Sequence, residues 1–72
     1  MLAALEKFAR QYQAACRDFD AAKLEANGTE SLHERGETTD EVWRDSRQRL
    51  YMAEHVRGAF ERALLFAAQN LP

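Results

Sequence analysis

The chain reads as an all-α protein, an antiparallel helical hairpin expected to dimerise into a four-helix bundle. Three observations carry that reading. Alanine, glutamate, arginine and leucine dominate, and the one proline is the last residue, so almost nothing opposes helix. Apolar side chains recur at alternating spacings of three and four in two long stretches, the pattern of a heptad seam. A polar, glycine-containing segment separates the two stretches.

The first helix is expected over residues 2–26. Leu2, Leu5, Ala9, Tyr12, Cys16, Phe19 and Ala26 form its seam, widened by Phe8, Ala15 and Ala22. Glu6, Lys7, Arg10, Gln11, Gln13, Arg17, Asp18 and Glu25 make the opposite face wet. Asn27-Gly28 reads as a C-terminal stop, because glycine takes the left-handed conformation that ends many helices. Residues 27–38 then form an acidic connection. Ser31-Leu32-His33-Glu34 has the form of a single capped turn, and Thr38-Thr39-Asp40-Glu41 that of a capping box opening the next helix.

The second helix is expected over residues 39–71. Its inner seam is Trp43, Ser46, Leu50, Ala53, Arg57, Phe60, Leu64, Ala67 and Leu71, flanked by Val56 and Ala63. Asp40 with Arg44, Asp45 with Arg49 and Arg57 with Glu61 stand at ion-pair spacing. Arg57 on the seam is the kind of polar residue that fixes register, with Glu61 and a glutamine of helix one as expected partners. Turning near residue 33 brings Leu5 to Ala63 and Leu64, Tyr12 to Val56, Phe19 to Leu50 and Lys23 to Asp45, given equal rise along both helices.

Helix two carries a second apolar face. Tyr51, Met52, Ala59, Leu65 and Phe66 lie off the inner seam, with His55 among them. Helix one can cover only one face, so the other is expected to meet a second chain. Gly58, mid-helix, costs about 1 kcal/mol relative to alanine and is read as permitting a close helix crossing.

Size and composition set the class. Residues 1–72 make one domain, with a marginal core. Cys16 is the only cysteine, so no disulfide within the chain supplements that core. No run of about 18 apolar residues exists, no basic-then-apolar leader opens the chain, and a cytoplasmic location is expected without membrane contact. A net charge of −2 argues against bulk electrostatic binding to nucleic acid or anionic lipid.

No constellation for chemistry emerges. His33 and His55 belong to no paired-ligand motif, so no metal is expected. Cys16 reads as a small seam hydrophobe rather than a nucleophile. Gly28, Gly36 and Gly58 are isolated, so no phosphate loop and no cofactor are expected. One cluster stands out. Trp43, Arg47 and Tyr51 share a face beside Arg44, and arginines next to aromatic rings grip phosphates or stack on bases. The simpler account is a wet helix face whose charge Asp40 and Asp45 partly neutralise.

The segment Phe60-Glu61-Arg62-Ala63-Leu64-Leu65-Phe66-Ala67-Ala68 resembles the last helix of phage helical-hairpin proteins that sequester cyclic nucleotides. The long expected connection departs from their short turn, and no site residue carries over. In size and layout the chain is also similar to plasmid RNA-binding hairpins that dimerise, a likeness of architecture that fixes no function. The expectation is a small non-enzymatic protein-binding module, an inhibitor, adaptor or chaperone-like protein of a bacterium or phage. It would act through the second apolar face, with itself and another protein as partners. The alternative is a nucleic-acid or nucleotide binder using Trp43, Arg44, Arg47 and Tyr51.

Overall fold

The computed structural model describes residues 2–70, and side chains from residue 3 onward. Two helices, α1 (Leu2–Glu34) and α2 (Asp40–Gln69), pack against each other as a hairpin, with no strand among the described residues. Leu71, expected at the end of the seam, and Pro72 lie outside the described residues, as does the side chain of Leu2. Asn70 closes α2, its backbone N–H donating to the carbonyls of Phe66 and Ala67 and its Nδ2 to Phe66.

The first correction concerns where α1 ends. It does not stop at Asn27-Gly28 but continues to Glu34, and the connection shrinks from residues 27–38 to 35–39. Ser31 to Glu34 form the last turn of α1 rather than a separate one. The stop is Gly36, at φ +71°. The Gly36 N–H donates to the His33 carbonyl at 3.0 Å and the Glu37 N–H to the Leu32 carbonyl at 2.8 Å. That pair of bonds is the Schellman arrangement, which satisfies the last carbonyls and needs a residue free of left-handed strain. The cap of α2 shifts too. Thr39, not Thr38, is the N-cap, and its hydroxyl accepts from the Val42 N–H at 3.2 Å.

Gly28 is passed over because the seam continues beyond it. Phe8, Tyr12, Ala15, Phe19, Ala22, Ala26, Thr29 and His33 are all buried or half-buried, at spacings of four and three throughout. So Phe8, Ala15 and Ala22, expected as flanks, lie in the seam, while Leu5 and Ala9, expected in it, are exposed. On α2 the matching row is Trp43, Ser46, Leu50, Ala53, Arg57, Phe60 and Leu64, as expected from the sequence, but Ala67, also expected there, is exposed. A longer α1 moves the register. Tyr12 meets Glu61 rather than Val56, and Phe19 meets Arg57 rather than Leu50. Arg57 lies seven positions beyond Leu50, one heptad, on the same inner face, whereas Val56 turns outward and is exposed.

The most buried seam residues are small. Ser46 is 1% exposed, Ala26 4% and Ala15 6%. Thr29 and Ser46 touch hydroxyl to hydroxyl across the seam. Each also reaches a carbonyl of its own helix, Thr29 to Ala26 at 3.1 Å and Ser46 to Trp43 at 2.8 Å. Two hydroxyls carry two hydrogens for these three contacts, so at any moment one donates across the seam or both donate backward. Farther from the turn, the Arg57 guanidinium lies 4.1 Å from the Phe19 ring centre, with Glu61 3.5 Å from its Nε. Glu61 also accepts from the Tyr12 hydroxyl at 3.0 Å. Contact with Cys16 first, and Glu61 second, pushes the Tyr12 phenol up to about 12. Phe8 and Phe60 meet edge to face, their centres 5.2 Å apart. The glutamine expected beside Arg57 is replaced by Phe19.

Ion pairs reinforce the register. Glu25 reaches Arg49, and Glu30 lies 3.4 Å from Arg47. Of the three pairs expected within α2, Arg57–Glu61 forms, while Asp40 turns to His33 and Arg49 to Glu25. Such exposed pairs contribute at most about 1 kcal/mol each.

The two glycines make a test of opposite sign. A Cβ at Gly28 meets nothing within 4 Å, so Gly28→Ala should stabilise the helix by roughly 0.5–1 kcal/mol. Gly36→Ala must adopt a left-handed conformation and should destabilise by about 1–2 kcal/mol. Thermal unfolding followed by circular dichroism should show the first variant melting above the parent and the second below it. The reverse order would return the turn to Gly28.

Candidate functional site

Two surfaces collect the residues singled out in the sequence. The first lies at the connection end of α2. Trp43, Arg44, Arg47 and Tyr51 line one shallow groove of ≈ 490 Å³ with Gln48, which the sequence reading did not include. Their spacing along about two turns of one helix makes this a helix face rather than an enclosed cavity.

The cross-helix contacts decide what this groove has to offer. The His33 ring stacks on Trp43, centres 4.4 Å apart and planes 11° from parallel. His33 Nε2 lies 2.6 Å from an Asp40 carboxylate oxygen. An ionised carboxylate can only accept, so the imidazole donates. That bond, strengthened by the charge of His33 and Arg44, holds the Asp40 carboxyl below its ordinary 3.8. Arg47 lies with its guanidinium carbon 5.2 Å from the Trp43 ring centre and is paired with Glu30. Trp43 Nε1 is buried without a hydrogen-bond partner. The groove therefore joins an aromatic floor and two guanidinium groups, one of them already engaged.

The second surface runs along the outer side of α2. Tyr51, Met52, His55 and Val56 surround a hollow of ≈ 210 Å³. Phe8, His55, Val56, Ala59, Phe60 and Ala63 surround another of ≈ 300 Å³. Sharing His55 and Val56, the two hollows form one apolar trough. Met52 is 59% exposed, Val56 48% and Phe66 69%. Met52, Val56, Ala59, Ala63 and Phe66 follow spacings of four, three, four and three, a second heptad row beside the first. That repeat was the signal in the sequence for Val56 and Ala63, which had been read as flanks of the inner seam. Phe8 and Phe60 join the trough only through folding, because their rings pack across the hairpin.

Leu65 and Tyr51 stand apart from the centre of this row. At about 100° per residue, Leu65 lies roughly 120° and Tyr51 roughly 80° around the helix from Ala59. Both are exposed, and Tyr51 forms the border shared with the groove at Trp43. Leu24, 75% exposed on α1, joins neither surface.

No protein-family model, curated protein or solved structure matches this chain. Among the described residues, no group of three histidine, cysteine or acidic side chains could hold a metal ion. No helix among them is long and apolar enough to cross a membrane. Cys16 is half-buried and lies beside the Tyr12 hydroxyl, one turn earlier on α1.

The His33–Asp40 contact gives the connection an acid dependence. Because folding lowers the Asp40 pKa, the contact stabilises the fold above pH 3.8 and loses that effect as pH falls through the folded-state value. Asp40→Asn should melt below the parent at about pH 5, and the gap should close in more acid solution. A gap unchanged from neutral pH to about pH 2 would mean that ionised Asp40 contributes nothing.

Proposed function

We propose that this chain is a protein-binding module that works as a homodimer, using the outer apolar face of α2 to complete a four-helix bundle. The observation that carries the reading is how little the hairpin buries. Ala15, Ala26 and Ser46 are the buried residues among those described, while Met52, Val56, Leu65 and Phe66 are exposed. The accessible surface is 5901 Å² for 8.3 kDa. A compact protein of that mass exposes about 4,600 Å², so about 1,300 Å² is in excess. A standard interface covers about 800 Å² on each partner, which fits within that excess. The radius of gyration, 16.3 Å, likewise exceeds the roughly 11 Å of a compact chain this long. Covering the trough supplies the burial that one helix pair does not.

An apolar trough suited to a helix face supports an inhibitor, adaptor or chaperone-like role. Sedimentation at micromolar concentration should give a dimer. Met52→Glu with Phe66→Glu should shift it to monomer, raising the dissociation constant by at least about tenfold, with helicity of the remaining chain retained. A parent that stays monomeric at high concentration would refute the proposal.

A second reading rests on the groove at Trp43. Aromatic rings beside guanidinium groups suit a nucleotide or single-stranded nucleic acid. Weighing against it, Arg47 and Arg49 are already paired with Glu30 and Glu25. The expected result is no submicromolar RNA binding at physiological salt. Binding that falls steeply with salt, and whose slope flattens in Arg44→Ala with Arg47→Ala, would put this reading first.

A further inference from the structure

The outer row of α2 is close to symmetric about its own middle, and the symmetry says how a second copy would lie. Ala59 is at the centre. Val56 and Ala63 stand three and four residues away, and Met52 and Phe66 seven residues away on either side. We propose that the second copy lies antiparallel along α2, with a two-fold axis at Ala59, so that each Met52 meets Phe66 of the other chain. This rests on the dimer reading above and specifies its geometry.

A two-fold interface presents the same patch from both chains, so the row must fit its own reversal. Antiparallel pairing about Ala59 sets Ala59 against Ala59 and Met52 against Phe66, with Val56 opposite Arg62, one residue from Ala63, and Ala63 opposite His55. The side chains are smallest at the centre and largest at the ends. Two helices that cross approach most closely at one point and diverge on either side. Alanines at the crossing permit the approach, and Met52 and Phe66 fill the widening gap. Thioether against aromatic ring is a favourable contact in its own right. Parallel pairing does worse: it puts Phe66 against Phe66 one turn from Ala63 against Ala63, a thick layer beside a thin one.

Gly58 supplies an independent observation. It costs helix stability, takes no left-handed conformation, and is not needed for the approach of α1. A Cβ there would meet only Arg62, whose Nη1 is 3.3 Å away. Arg62 lies about 60° around the helix from Ala59 and would otherwise rise beside the row. With no side chain at Gly58, the Arg62 guanidinium folds back over that position and clears the centre of the trough. The hairpin alone gains nothing from this, whereas a second helix crossing at Ala59 does.

Single cysteines in a Cys16→Ser background test the geometry. A disulfide needs Cα atoms within about 7 Å, which only residues near the axis or paired across it can meet. Under mild oxidation Ala59→Cys should crosslink two chains. Met52→Cys and Phe66→Cys should each fail alone, since in an antiparallel pair like positions stand about 21 Å apart. Mixing those two variants should restore the crosslink. Circular dichroism and sedimentation of the reduced proteins check that each variant is folded and dimeric. Self-crosslinking of Met52→Cys and of Phe66→Cys would establish parallel pairing and overturn the proposal. A dimer that forms none of these crosslinks would overturn the geometry and leave self-association standing, whereas a monomer would remove both.

Discussion

A two-helix hairpin has a single interface in which to bury side chains, and the rest of this structure depends on how that interface is spent. Toward the connection it is filled by small residues, Ala26, Thr29 and Ser46, with a hydroxyl contact across the seam. Small residues bring the backbones together but bury little apolar area. Toward the open end the seam carries larger groups, and there it is mixed: Arg57 lies over Phe19, and Glu61 is bonded to Tyr12. Polar groups inside the seam specify partner and register more than they stabilise.

That distribution leaves apolar area uncovered on one face of α2. The apolar area missing from the inner seam is present on the outside of α2, in the row from Met52 to Phe66. In a larger domain a third helix would cover it. In a chain of 72 residues no other element among those described is free to do so. A partner covering the trough, as proposed, would stabilise the folded form by mass action.

The connection end has a different character. His33 stacks on Trp43 and bonds to Asp40 within a few residues of the turn, so the last turn of α1 and the first of α2 are clasped by side chains as well as by the backbone cap. This clasp holds Trp43 in place and so shapes the floor of the adjoining groove. The two surfaces meet at Tyr51. Their chemistry differs, one charged and aromatic, the other apolar.

Helical periodicity is a local property, and it let the sequence determine the two helices, the inner seam of α2 from Trp43 to Leu64, and the presence of a second apolar face. Clustering of Trp43, Arg44, Arg47 and Tyr51 was legible for the same reason, since all four lie on one helix. The position of the turn was not. Asn27-Gly28 carries a strong local stop signal, but the heptad row runs through it in polar residues, Thr29 and His33, whose place in the seam appears only when Ser46 and Trp43 lie opposite. Contact with another helix outweighs a glycine penalty of about 1 kcal/mol, and the true stop falls at Gly36, where the backbone cap closes. Register followed the turn, shifting Phe19 from Leu50 to Arg57. The tertiary structure also decided which side chains adjoin across the helices, bringing Phe8 and Phe60 into the trough and folding Arg62 away from it. Spacing within one helix fixes a face, whereas the match between two helices depends on where the chain reverses, which no single periodic stretch records.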